Sequence, residues 1–342
     1  MTRPSVRSYQ RSAVAYIPLL IFLALVLALL SLGPAACGGP PAGDPELSGA
    51  YPNGDLLVGA GWLDDHLDDS HVRIVDMRAP ADYAMEHVPG AVNVPLGNIA
   101  STIDDIPLQY DEAQVQRTLN GIGLTPDTTA VVYDDLGMLS AARMFWTLEY
   151  VGHKDVRLLN GGWNAWLAED HETSADTPDI ASTEYPIELD SSRLVSAEEV
   201  LDQLDDPDVV IVDARSHEEY TGEVKLADRG GHIPGAVNLV WFDVLTGGDV
   251  VSTINSDWAT YLKDPDVEVF EPADEIQTVL VDLGMGPDKE LITYCQTLWR
   301  GAHVYFLLRL MGYTGVAGYD GSWAEWGNRP DLPVVTGPEP RD

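Results

Sequence analysis

The chain has 342 residues, enough for two domains, and its 45% hydrophobic content with scattered Gly and Pro fits packed cores and not a disordered polymer. With 55 acids against 19 bases its formal charge is −36. That excess argues against nucleic acid as a partner and limits any membrane contact to the N-terminus.

Residues 1–36 differ in kind from the rest. Arg3, Arg7 and Arg11 come without an acid among them, Ala13 to Leu32 is almost wholly apolar, and Pro34-Ala35-Ala36-Cys37 follows. This is the order of an export signal, and the apolar stretch is also about long enough to span a bilayer. Two outcomes stay open. The segment is cleaved before Cys37 and that cysteine is lipidated, as in the bacterial lipoprotein signals it resembles apart from Pro34, or it stays as an N-terminal anchor. Either way the protein is expected to be exported to the cell envelope, with residues 37–54 as a flexible tether. Cys295 is the only other cysteine. Once Cys37 is lipidated or removed it has no internal partner, and an unpaired thiol in an exported protein points to reactivity.

The remainder is a repeat. Residues 57–78 align without a gap on 194–215, with 12 of 22 positions identical. His87-Val88-Pro89-Gly90-Ala91 matches His232-Ile233-Pro234-Gly235-Ala236, and Trp163 and Trp166 match Trp323 and Trp326. A period this long makes each copy a domain and not a solenoid unit. In chain order each copy reads as a leading helix, with Ser196 and Glu199 at capping-box spacing in the second copy. A short apolar strand ending in Asp76 or Asp213 follows, then a strand at 130–133 or 291–294. Last comes a helix at about 140–150 or 301–311, closed by Gly152 or Gly312. The expected fold class is α/β: two domains, each a mostly parallel sheet with helices on both faces. The expected bounds are 55–170 and 194–336, with a linker at 171–193 and a tail at 337–342.

The segment that carries chemistry runs from Cys295 through Gln296, Thr297, Leu298 and Trp299 to Arg300 and on to His303. It joins a strand to a helix, so backbone N–H groups converge on one concavity. A thiol at its first position feels that positive field, which favours the nucleophilic thiolate. Arg300 is expected to add a fixed positive charge that stabilises the thiolate and an anionic donor. Residues 291–319 contain no acid. Asp213 and Arg215 recur as Asp76 and Arg78 in the copy without a cysteine, so an internal pair supporting the loop is favoured over direct substrate contact. His87 and His232 read as structural by the same logic, Trp299 as a pocket wall, and His303 as either loop support or a substrate contact. No metal-ligand cluster or phosphate loop is present, and no cofactor is implied.

These residues resemble the rhodanese family over about 55–336. The marks are both Asp-x-Arg pairs, Glu219-Tyr220-Thr221-Gly222, both His-x-Pro-Gly-Ala blocks, the Cys295–Arg300 loop and the Trp-x-x-Trp ends. The resemblance implies a sulfurtransferase of the thiosulfate or 3-mercaptopyruvate type. Cys295 would take sulfur from a small anionic donor as a persulfide and pass it to cyanide or a thiol. Leu298 stands where many active members have Gly, which is expected to narrow the loop mouth or change donor preference. Asp134 occupies the position of Cys295 in the first copy, so that copy is expected to be inactive. A persulfide carrier serving a partner protein is the alternative. A cysteine phosphatase or arsenate reductase is disfavoured, because four and not five residues separate Cys295 from Arg300.

Overall fold

A computed structural model describes residues 39–246 and 268–341. The expected export segment and Cys37 lie outside these residues. Among the described residues no helix is long and apolar enough to cross a membrane.

The first half contains β1 (Leu57–Val58), β2 (Val72–Asp76), β3 (Val92–Asn93), β4 (Ala100–Ile103), β5 (Ile106–Tyr110), β6 (Thr129–Tyr133) and β7 (Val156–Leu159). Five of these form a parallel sheet in the order β1-β7-β6-β2-β3, and β4 and β5 form a separate antiparallel hairpin. The second half contains β8 (Leu194–Val195), β9 (Val209–Asp213), β10 (Val237–Asn238), β11 (Glu290–Tyr294) and β12 (Val316–Tyr319), ordered β10-β9-β11-β12-β8. Read from the leading strand, both sheets have the same topology and register: Asp76 lies beside Tyr133 and Asp213 beside Tyr294. All five residues of β6 are buried, as parallel strands covered by helices on both faces require.

Each central strand feeds one long helix, Leu139–Tyr150 in the first half and Trp299–Leu310 in the second. Both helices are buried around nearly their whole circumference, and they pack on each other. A helix without a polar face needs cover on every side, and here each copy supplies it to the other. One hydrophobic core therefore runs through both halves, from Leu139 and Phe145 to Phe306 and Leu310. Smaller clusters fill the outer faces around Trp163 and Trp166, and around Trp323 and Trp326. Both helices end alike. Gly152 and Gly312 adopt φ of 87° and 89°, and the next residue donates back, His153 N to Leu148 O and Tyr313 N to Leu308 O. That reversal needs the left-handed conformation glycine tolerates. The capping box of Ser196 and Glu199 forms as read.

The tether expected at 37–54 is corrected from Pro41 onward: this segment is docked. The Arg157 guanidinium donates to the carbonyls of Pro41 and Ala42, and the buried Asp44 carboxylate accepts from Gly59 N at 2.8 Å. Tyr51 Oη donates to Phe270 O, and Asn53 donates to Arg309 O and Leu310 O, so the segment also straps the two halves together. Composition alone missed these local partners.

Polar contacts also cross the helix pair. Glu149 accepts from Tyr305 Oη at 2.6 Å and pairs with Arg309 at 3.0 Å. Both charged side chains are about 15% exposed, so loss of one partner leaves the other poorly solvated. Glu149→Gln should lower stability by about 2 kcal/mol in urea unfolding. A change below about 0.5 kcal/mol would show that the cluster is electrostatically idle.

Candidate active site

The floor of the site is a buried ion pair built from a strand end and the turn after it. The Arg215 guanidinium donates to both oxygens of Asp213, Tyr294 Oη donates to Asp213 Oδ2 at 2.6 Å, and Arg215 also reaches Gly231 O. Arg215 lies over the Trp323 ring at 4.4 Å. Asp76, Arg78, Tyr133 and Trp163 repeat this arrangement in the first half. The brace is thus common to both copies, and its charged groups are sealed beneath the loop. His87 and His232 stack on Tyr83 and Tyr220 and bond the carbonyls of those tyrosines, as structural residues.

Cys295 follows β11 directly and is only 1% exposed. Thr297 N donates to its Sγ at 3.4 Å. Ser322 Oγ accepts from Leu298 N at 2.9 Å and Cys295 N at 3.3 Å, and donates to Tyr319 O. The loop carbonyls are held from the same side by Trp323 N and Ala324 N. Leu298 is the helix N-cap at φ 56°, and Trp299, Arg300 and Gly301 form the first turn, whose amides a helix offers no partner of its own.

The first half shows what these amides hold. The loop from Asp134 to the helix N-cap Met138 is one residue longer than that from Cys295 to Leu298. Met138, like Leu298, has a positive φ. The buried Asp134 carboxylate turns back into its own loop. Its Oδ1 accepts from Leu136 N and Met138 N at 2.9 and 3.0 Å, and its Oδ2 from Ser140 N and Ala141 N at 2.5 and 2.8 Å. Counted from the N-caps, Ser140 and Ala141 correspond to Arg300 and Gly301. One cradle already contains an anion covalently attached to the chain; the other ends in a sulfur.

Three expectations about neighbours need correction. Leu298 does not narrow a mouth: its side chain is fully buried against Gly301 and Gly318, where an added methyl on Gly318 would come within 2.8 Å of it. His303 is sealed between Trp241 and Phe270, out of a ligand's reach, and burial pushes its ring down to about 3, leaving it neutral. Arg300 is not a lone cation. Its two terminal nitrogens bind the two Glu219 oxygens at 2.5 and 2.9 Å. Burial opposes the Glu219 charge, but the guanidinium outweighs it and holds that carboxyl below its ordinary range. Trp299 is half-buried and donates through Nε1 to Ser140 Oγ of the first half, so it stands where the two halves meet. Gln296 donates to Leu226 O.

Sequence reasoning missed two contributors. Ser322 stands where the first copy has Gly162, between the matching Gly161/Gly321 and Trp163/Trp323, a small change visible in the sequence. Asp320, two residues before it, is gripped from the first half by Arg143 at 2.7 Å and by Tyr110 N at 2.7 Å, with Gln109 Nε2 on its carbonyl. The β4–β5 hairpin thereby leans on the second half's loop. A cleft of about 690 Å³ lies elsewhere, between β3, the helix Glu112–Gly121 and residues 177–180, and its lining includes no nucleophilic thiol.

Comparison with known proteins agrees with this reading of the fold. The model of the rhodanese-like domain matches residues 59–169 and 196–329. The chain is 36% identical over 280 residues to a thiosulfate sulfurtransferase of Azotobacter vinelandii, covering 82% of this chain and 96% of that protein. It is 31% identical over 304 residues to the sulfur carrier protein TtuD of Thermus thermophilus, covering 84% and 99%. Among solved structures, the anaerobic ergothioneine biosynthesis enzyme of Chlorobium limicola aligns with a TM-score of 0.69 at 27% identity, covering 82% of this chain and 70% of that one.

The Asp134 cradle has a measurable signature. Burial pushes this carboxyl up to about 6, against the pull of the amides it accepts. The folded chain then binds this proton more tightly than the unfolded chain, so the group's share of stability falls as pH rises from about 4 to about 6 and is level above that. The stability difference between wild type and Asp134→Asn should therefore shift by up to about 3 kcal/mol against wild type between pH 4 and pH 7 in urea titrations. A difference independent of pH would mean that the four amides keep Asp134 ionised throughout.

Proposed function

Given that the chain belongs to the rhodanese-like family and is an enzyme of the thiosulfate sulfurtransferase type, we propose that its sulfur is carried by Cys295 as a persulfide. The Cys295 thiolate attacks the outer sulfur of thiosulfate. A new S–S bond forms, the donor's S–S bond breaks, and sulfite leaves with the bonding pair. The terminal sulfur retains one negative charge, which the loop amides receive. Cyanide then removes that sulfur as thiocyanate, or a thiol accepts it as a new persulfide, and Cys295 returns as thiolate. 3-Mercaptopyruvate is the second donor class. The observation that carries this reading is the Asp134 carboxylate on four amides of the sister loop. It supports reading the matching turn, where the second half has sulfur, as a cradle for an anion.

The first half then serves as a silent wall: its own carboxylate fills its cradle, and Ser140 and the β4–β5 hairpin border the working loop. A second reading, a carrier that hands persulfide sulfur to a partner protein, is favoured by the likeness to a protein named as a sulfur carrier. Steady-state turnover of thiosulfate with cyanide separates the two, since a dedicated carrier accumulates persulfide without cycling.

Incubation with thiosulfate should add one sulfur atom to the intact mass, and cyanide should remove it. Cys295→Ala should gain nothing and lose turnover entirely; a variant that still gains the atom overturns the assignment. We also propose that the chain is exported and held at the membrane through its N-terminus, on the strength of Arg3 to Cys37. Fractionation should place it with membranes, and Cys37→Ser should alter its processing if the cysteine is lipidated. Full-length protein free in the cytoplasm would refute export.

A further inference from the structure

Catalysis by an anionic thiolate on an anionic donor is limited by like charge, so the charges beside Cys295 decide which donors enter. Among the described residues, four charged side chains form two ion pairs about the loop. Asp213 and Arg215 cancel each other in the floor. Arg300 enters from the helix, and its charge and that of Cys295 interact. Glu219, from the short helix His217–Thr221, meets Arg300 end-on with both oxygens. Glu219 also interacts with the Arg215 charge of the brace, and its carboxylate accepts from Ser216 N at the start of its own helix. These four charges sum to zero, so they offer no net positive charge to the thiolate or to an arriving donor. Thiosulfate brings two negative charges to a thiolate that has one.

We propose that Glu219 is a specificity-determining positioning residue: by occupying both terminal nitrogens of Arg300 it cancels the guanidinium beside Cys295 and disfavours donors in proportion to their negative charge. This rests on the Cys295 reading above, and it reaches further in assigning Glu219 the choice among donors. Coulomb energy is linear in the ligand's charge. Removing one negative charge near the sulfur therefore helps a dianion as the square of the factor by which it helps a monoanion, and leaves a neutral reagent unfavoured apart from any change in thiolate fraction.

The test uses Glu219→Gln in the full chain. One readout is kcat/KM for thiosulfate; the other is the ratio of the alkylation rates of Cys295 by iodoacetate and by neutral iodoacetamide, in which the thiolate fraction cancels. The ratio should rise about threefold and kcat/KM for thiosulfate about tenfold. Glu219→Asp, which keeps the charge, should stay near wild type in the ratio. An unchanged or lower ratio in Glu219→Gln, or an equal rise in Glu219→Asp, overturns the proposal. Should Glu219→Gln fail to fold, Arg300→Ala compared with Arg300→Ala/Glu219→Gln carries the same test, and the double variant must show the higher ratio. The alkylation ratio needs no sulfur transfer. If it rises while wild type gains no sulfur from thiosulfate, the charge assignment stands and the persulfide reading fails.

Discussion

The first turn of an α-helix leaves amide hydrogens that nothing within the helix can accept, and in both halves of this chain that turn is pushed into the centre of the fold. Water does not reach it freely, so the amides need an anion or a strong acceptor close by. The first half supplies one from its own backbone position, with the carboxylate of Asp134 on four N–H groups. The second half has a sulfur atom at the matching position and a serine hydroxyl, with Ser322 Oγ accepting from the amides of Cys295 and Leu298. The chemistry of the site follows from a demand that the strand-to-helix turn creates in any sequence.

Around that turn the two copies divide the labour. The Asp-Arg-Tyr brace is retained in both, because a charged pair this deeply buried can be neither exposed nor halved without leaving an unpaired ion. What differs lies above the brace. The first loop is one residue longer, carries a carboxylate and closes on itself, and its helix supports the other helix. Arg143, at the position of His303, turns outward from its own copy to hold Asp320 of the other, and the hairpin follows it there. The first copy thus contacts the segments on both sides of its neighbour's loop.

Topology was legible in the sequence because equal residues in equal register must pack alike. The match of 57–78 with 194–215 placed β2 and β9, and the glycines after both long helices fixed their ends. The strand-to-helix turn that carries Cys295 was legible from its spacing. Its surroundings were less so. Glu219 and Arg300 are 81 residues apart, and no local pattern marks two such residues as a pair. Arg300 therefore read as a free cation. Leu298 read as a gatekeeper because side-chain direction at a positive φ cannot be taken from spacing; only the facing Gly318 shows that it points inward. Asp134 read only as the residue standing where a cysteine would be, since its amide partners belong to backbone that a sequence does not display. The strap from Pro41 to Gly54 read as loose because it is rich in Gly and Pro, whereas its order comes from Arg157 and Asp44.

The helix Trp299–Leu310 has almost no side that tolerates water; among its residues only Trp299, Arg300 and Arg309 are not buried. An isolated second half would present that cylinder of Val, Phe and Leu to solvent, together with a loop whose geometry depends on it. A single-domain version of this protein is thus not reached by truncation. It requires a repainted helix, new polar residues on the side now facing Phe145, before the cysteine loop has a stable platform. The doubled chain is in this sense a ratchet: once the two helices lost their polar faces to each other, neither copy retained an independent existence.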